Sequence, residues 1–251
     1  MAGHSKWANI KHRKERQDQK KGKVWSKCSR AIIAAARAGG PDPETNLALR
    51  YAIDEAKYEN MPKDTIQRAV DKGAGAGAGD SYEEVTYEGY GPNGVAILID
   101  ALTDNRTRTV NEIRTIFNKN GGNLGNTGCV AFMFQARGQI LVDASKADED
   151  TIMEHALEAG ALDVEAPDDE GEGFWAVVTE PGDFVAVRNA LESNGIQIEQ
   201  AQLTKVPDNT VALDASDARK LLNLVEILED NDDVQKVYTN ADIPDDVLAG
   251  A

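Results

Sequence analysis

Apolar residues recur at helical spacing in the first third of the chain and alternate at strand spacing after it. In "KVWSKCSRAIIAAARAGG" (23–40), Val24, Trp25, Cys28, Ile32, Ala35 and Ala36 share one side, so the spacing predicts an amphipathic helix stopped by the glycine pair. At about 100° per residue, Lys23, Lys27, Arg30 and Arg37 form a basic stripe roughly 80° wide on the opposite side. Asp42 and Pro43 then read as N-cap and first helical residue. They open a second helix through "TNLALRYAIDEAKYEN", with Leu49, Ile53 and Ala56 in register. A third helix starts near Pro62 and ends at Gly73.

"KGAGAGAGD" follows (72–80). A phosphate-cradling glycine loop needs a strand before it and a helix after it. Here a helix precedes and strand-like residues follow, so the segment reads as a flexible joint. Beyond it, "EEVTYEGYGPNGVAILIDAL" predicts a hairpin turning at Gly-Pro-Asn-Gly. "NRTRTVNEIRTIFNKNGG" predicts a helix with Val110, Ile113 and Phe117 inward, and "CVAFMF" predicts a buried strand. "KNGGNLGNTGC" (119–129) reads as a helix stop and turn.

The series from "GQILVDA" to "IQIEQAQLTKV" then runs strand, helix, strand, strand, helix, strand, the split βαβ order. The tail offers "TVALD", the helix "SDARKLLNLVEILED" and the strand "VQKVYTN". Neither the middle segment nor the tail has enough elements to stand alone, so the two are expected to join across the series between them. The expected fold is α+β multidomain. An all-α helical domain (1–73) and a hinge (74–80) precede two ferredoxin-like α+β domains. The first of these is discontinuous (81–135 plus 206–251) and the second is inserted into it (136–205).

Charge sharpens this layout. The net charge is −16, yet the first thirty residues hold ten Lys or Arg and two acids. Residues 1–72 sum to +7 and residues 73–251 to −23. One end thus suits a polyanion and the rest repels it. Cys28 and Cys129 show no ligand spacing, which suits a reducing compartment rather than a disulfide framework or zinc site. No apolar run reaches the length of a membrane span and the opening has no apolar signal segment, so the expected location is cytoplasmic.

Enzymatic chemistry finds little purchase. His155 falls on an amphipathic helix, while His4 and His12 lie inside the basic block, where nucleic-acid contact or plain solvation competes with base catalysis. The acidic runs "APDDEGEG" (166–173) and "EDNDD" (229–233) read as solvated loops and helix ends, without the spacing of a calcium loop. No catalytic residue, metal, cofactor or small-molecule substrate is expected.

Nucleic-acid binding fits better. Lys6, Lys11, Arg13 and Lys14 supply phosphate attraction; Trp7, His4 and His12 can stack on unpaired bases; Ser5 and Asn9 can bond base edges or ribose. Lys20, Lys21, Lys23, Lys27, Arg30 and Arg37 continue the charge onto the first helix. A solvated tail is the plainer alternative for the opening. No helix-turn-helix is evident, which favours RNA over duplex DNA. Arg106 and Arg108, at a helix start, form a second candidate contact, against the equal alternative that they pair with neighbouring acids.

"MAGHSKWANIKHRK", "AIDEAKYENMPKDTIQRAVDKG", "YEEVTYEGYGPNGVAILIDALTDNRTRTVNEIR" and "NKNGGNLGNTGCVAFMF" closely resemble the YebC/PmpR family, densely over residues 1–140 and more loosely beyond. Its mitochondrial relative is the translational activator of cytochrome c oxidase. The resemblance implies three domains and no catalytic residue, metal or cofactor. It implies either a DNA-binding transcriptional regulator or a ribosome-associated translation factor. The latter contacts ribosomal RNA of the large subunit near the peptidyl transferase centre and relieves stalling on sequences such as proline runs, with tRNA as a further candidate partner. The family's opening motif matches at Gly3, His4, Ser5, Lys6, Trp7, Asn9, Lys11, His12, Arg13 and Lys14, and its second basic run at Lys20, Lys21, Lys23 and Lys27. Trp25 and Cys129 depart from the residues usual there (Phe and Ser), which touches packing and leaves the basic surface intact.

Overall fold

The computed structural model describes residues 21–75, 82–167, 173–244 and 247. The basic opening up to Lys20 and most of the predicted hinge lie outside these residues. The chain divides into two compact units, Gln135–Val206 and the segments flanking it.

In the flanking unit, three helices come first: α1 (Lys21–Gly39), α2 (Leu47–Tyr58) and α3 (Lys63–Ala74). Ile32, Ile33, Ala36, Leu49, Ala56, Ile66, Ala69 and Val70 are buried together between them. A methyl group at Gly73 would come within 2.6 Å of the Ile33 carbonyl and 2.7 Å of Ala36 Cβ, so glycine permits the close approach of α3 to α1. Trp25 Nε1 donates to the Glu59 carbonyl at 2.9 Å. The α2 N-cap is Asn46, four residues beyond the expected Asp42. Asn46 is buried; its side chain accepts from Leu49 N and donates to the carbonyls of Ala35 and Gly40. One amide thus caps α2 and fastens it to the end of α1. Asp42 instead accepts from Glu44 N in the preceding turn.

The same unit continues with β1 (Glu83–Tyr90) and β2 (Ala96–Thr103), an antiparallel hairpin in register from Glu83↔Thr103 to Tyr90↔Ala96. Asn93 (φ 57°) and Gly94 (φ 76°) supply the left-handed turn. Helix α4 (Arg106–Lys119) and the short β3 (Asn123–Leu124) follow, and after the other unit come β8 (Val211–Ala212), α7 (Ala215–Glu229), β9 (Val234–Thr239) and β10 (Ala241–Asp242). The main sheet has the order β3-β1-β2-β9, with all pairings antiparallel. The tail therefore completes the sheet that the middle of the chain begins. A methyl at Gly91 would meet Ile97 and Leu221, and one at Gly122 would meet Phe117 and Leu224. The positions between these helices and the sheet are already filled. Along α4 the buried residues are Thr109, Ile113 and Phe117, while Val110 is half-buried.

The opposite sheet face carries Ala96, Leu98 and Tyr238, which pack on Val130 and Phe134. Here the structure corrects the expected strand "CVAFMF". Glu88, opposite Leu98 and buried, turns its carboxylate to Gly128 N (2.5 Å), Val130 N (2.8 Å) and Ala131 N (2.7 Å). Three backbone donors that a strand would give to a neighbouring strand go to one carboxylate. A 3₁₀ turn at Ala131–Met133 results, and it leaves Phe132 74% exposed.

The second unit contains β4 (Phe134–Asp143), α5 (Glu149–Glu158), β5 (Asp163–Glu165), β6 (Phe174–Thr179), α6 (Phe184–Ser193) and β7 (Ile198–Pro207). Its sheet order, β5-β6-β4-β7, is that of the split βαβ arrangement. Ile140, Val142, Ile152, Val177, Val187 and Leu191 are its fully buried aliphatic side chains. Overall, a helical amino-terminal part precedes α+β sheets that are mainly antiparallel, the two-stranded β8–β10 pair being parallel.

Candidate nucleic-acid interface

Of the predicted contact residues, His4, Ser5, Lys6, Trp7, Asn9, Lys11, His12, Arg13, Lys14 and Lys20 fall outside the described residues. Lys21 begins α1. Arg37 stands half-buried in its last turn.

The stripe between them is set against an acidic turn. Lys23 Nζ reaches the Asp230 carboxylate at 2.9 Å and the Asp230 carbonyl at 3.0 Å. Lys27 Nζ donates to the Glu229 carbonyl at 2.5 Å. Arg30 Nη1 donates to the Asp232 carbonyl at 2.6 Å and to Asp233 Oδ1 at 3.3 Å. Three cations at helical spacing therefore meet one turn, the end of α7 and the link to β9. A further tie joins Lys236 of β9 to Glu55 of α2 at 2.9 Å.

The acids of this turn are the residues of this arrangement that sequence reasoning passed over, having taken "EDNDD" for a solvated end. A signal for them exists in the sequence. Helix C-termini carry partial negative charge and unpaired carbonyls, so a helix closing on acids calls for cations from elsewhere. Helix α7 has no basic residue in its last turn, and α1 supplies them.

Asp233 is the centre of the arrangement. It is 5% exposed, and its Oδ2 accepts from Thr109 Oγ1 (2.7 Å), Arg108 Nη2 (2.7 Å) and Thr103 Oγ1 (3.2 Å). Burial pushes its pKa up, but the hydrogen bonds from Arg108, Thr109 and Thr103 and the Arg108 charge outweigh that and hold it below the usual carboxylate range. Arg108 is raised in turn, chiefly by its hydrogen bonds to Asp233 and Asp104. Arg106 pairs with Glu83 at 3.2 Å, both more than half exposed. The second predicted cluster thus divides: Arg108 is tied into the Asp233 network, and Arg106 sits in a solvated ion pair. Both are paired with acids.

Cys28 lies in the helical core, where burial, then Glu55 and Glu59, push its thiol up to about 12. Among the described residues, no group of three or more His, Cys, Asp or Glu could hold a metal ion. None of their helices is long and apolar enough to cross a membrane.

The fold and this geometry define a class: an α+β protein whose amino-terminal helices are held by their basic face on an acidic helix end. Residues 5–76 match the family model described as the TACO1/YebC protein N-terminal domain, and residues 82–241 match the TACO1/YebC second and third domain. The chain belongs to the YebC/TACO1 family. It is 55% identical over 249 residues to a protein of Dictyoglomus thermophilum, covering 99% of this chain and 98% of that one. It is 55% identical over 251 residues to one of Rubrobacter xylanophilus, with the same coverages. Both relatives bear the name "Probable transcriptional regulatory protein". The crystal structure of a conserved hypothetical protein from Aquifex aeolicus is similar, with a TM-score of 0.79 and 46% identity over 89% of this chain and 90% of that one.

Proposed function

We propose that this chain is a non-enzymatic, nucleic-acid-binding regulatory protein of the cytoplasm. In the finer reading it acts on the large ribosomal subunit, contacting ribosomal RNA near the peptidyl transferase centre to relieve stalling on sequences such as proline runs. The observation that carries the proposal is the segregation of charge: ten Lys or Arg against two acids in the first thirty residues of a chain with net charge −16. Such a block meets phosphates, while the acidic remainder is repelled by them. The family resemblance supports the ribosomal target, with tRNA as a further partner. The domain that docks in this reading is residues 1–73.

The geometry moves the centre of this reading toward the opening segment. With Lys23, Lys27, Arg30 and Arg108 already set against acids and carbonyls, Lys6, Lys11, Arg13 and Lys14 carry the first contact. Reversing the stripe to Glu would place carboxylates against carbonyls of the 229–233 turn, so such a variant confounds binding with folding. Alanine at Lys6, Lys11, Arg13 and Lys14 tests binding alone.

The second reading, a DNA-binding transcriptional regulator, is favoured by the names of the relatives. Phosphate contacts do not separate RNA from DNA. Crosslinking in cells followed by sequencing of both nucleic acids does. The ribosomal reading expects enrichment on large-subunit RNA that is lost in the alanine variant. Enrichment at promoters with none on ribosomal RNA would replace it with the second.

A further inference from the structure

We infer that the 229–233 turn and a nucleic-acid backbone compete for the same α1 cations, so that the turn is a built-in brake on phosphate binding. This rests on the nucleic-acid reading above and adds the regulation of that site.

The turn presents to α1 what a phosphate backbone would present: a row of oxygens with negative charge behind it. Carbonyls of Glu229, Asp230 and Asp232 and carboxylates of Asp230 and Asp233 take up the donors of Lys23, Lys27 and Arg30. The negative end of the α7 dipole points the same way. Lys23 directs its ammonium to the carbonyl and one carboxylate oxygen of Asp230, and Arg30 directs Nη1 to the Asp232 carbonyl and Asp233 Oδ1. The turn thereby partly neutralises both cations, so a phosphate drawn to either competes with these oxygens for the same charge.

The contact is graded, which suits a brake rather than a permanent joint. The Lys23 and Asp230 side chains are 46% and 45% exposed, whereas those of Arg30 and Asp233 are 24% and 7% exposed. Exposed pairs are weak and salt-screened, and partly buried ones hold better. A polyanion already captured by the opening segment would therefore take Lys23 first and Arg30 last. The stripe adds to affinity only where the nucleic acid runs far enough along α1. Lys23 and Arg30 stand about 10 Å apart along the helix axis.

The test uses the full chain, a fluorescein-labelled single-stranded RNA and purified large ribosomal subunits. Asp230→Lys turns the most exposed acid of the contact against Lys23. Asp217→Lys makes the same charge change about 20 Å away, at the other end of α7, and controls for general electrostatics. Asp230→Lys should bind both probes about fivefold more tightly than Asp217→Lys does, the scale of one exposed ion pair. Asp230→Asn, which removes the charge and keeps the shape, should move affinity the same way by less. Equal affinities for Asp230→Lys and Asp217→Lys, with Asp230→Asn matching the unmodified chain, would overturn the competition and leave the nucleic-acid reading standing. Absence of binding by the folded unmodified chain and by every variant would overturn that reading and the brake with it.

Discussion

Among the described residues of the Gln135–Val206 unit the buried polar side chains are Gln139 and Thr179, whereas among those of the flanking unit they are Asn46, Glu88, Thr103, Thr109, Asp233 and Asn240. The difference follows from how each is threaded. The inserted unit closes its sheet within one continuous stretch, and its buried side chains are mostly apolar. The flanking unit must bring β9 beside β2 and α7 beside α4, partners more than a hundred residues apart in the chain. Apolar burial rewards such pairings and sets which face turns inward, yet by itself it does not exclude a two-residue shift in register. Hydrogen-bonded polar groups do fix it, because a slip leaves each of them buried and unpaired. Asp233 ties the end of β2, the start of α4 and the middle of α1 to the α7–β9 link. Asn240 accepts from Ala96 N through its side chain at 2.8 Å and pins the start of β2. The lesson is that a split domain is specified at its polar nodes, and an inserted one by its apolar pattern.

The sharpest way to break this contrast is Asp233→Ala. It takes a carboxylate acceptor from Thr103 and Thr109, which keep their bond to each other, and a carboxylate partner from Arg108 and from Arg30, so the flanking unit should lose about 3 kcal/mol, the scale for breaking a buried charged network. The inserted unit should not respond. Trp25 belongs to the helical core and Trp175 is buried in the inserted unit, so urea unfolding followed by each tryptophan alone, the others replaced by Phe, separates the two. A matching loss on the Trp175 signal would contradict the distinction.

The reverse experiment is Gly138→Ala. A methyl there would press on Thr179 Oγ1 and come within 2.6 Å of Phe184 Cδ2. It overfills a tight contact with Thr179 and Phe184 at a cost of about 2 kcal/mol, expected on the Trp175 transition and absent from the Trp25 transition.

Acid sharpens the contrast further. Because the folded pKa of Asp233 lies below its ordinary value near 3.8, its charge stabilises the native state above that value. The contribution is lost as pH falls through the folded pKa. Arg108 is raised from an already high value and stays charged throughout. Below about pH 4 the Trp25 transition should therefore weaken, and Asp233→Asn should flatten that part of its profile by less than the full cost of Asp233→Ala.

These nodes also mark where the sequence stops being readable. The three helices, the hairpin and the strand-helix order of the inserted unit follow from periodicity, because local spacing reports local structure. Joining the tail to the middle segment was legible too, since neither has enough strands alone. What could not be read was which polar residue meets which. The α1 stripe shows its periodicity, but amphipathicity says only that one face is apolar, and it leaves open whether the other meets water or an acidic helix end. The Asp42 cap failed because Asn46 has a second task, bonding Ala35 and Gly40, that no cap preference encodes. "CVAFMF" has the composition of a strand, and a single carboxylate from β1 overrides it.

That carboxylate supports the smallest and most local effect. Cys129 sits in the turn that Glu88 organises, and its thiol pKa is raised, first by burial and then by the Glu88 charge. The thiolate is the reactive form, so iodoacetamide at about pH 8 should modify Cys129 more slowly than a free thiol. Cys28, fully inside the helical core with its pKa near 12, should stay unmodified until the flanking unit unfolds. Glu88→Gln removes the charge and gives the Gly128, Val130 and Ala131 donors an amide with only one accepting oxygen. The turn loosens, the thiol ionises more readily, and Cys129 modification should accelerate severalfold while Cys28 remains protected. If Cys129 kept its slow rate in that variant, the turn would be held by the packing of Val130 and Phe134 alone. Glu88 would then drop out of the set of polar residues that specify the split domain.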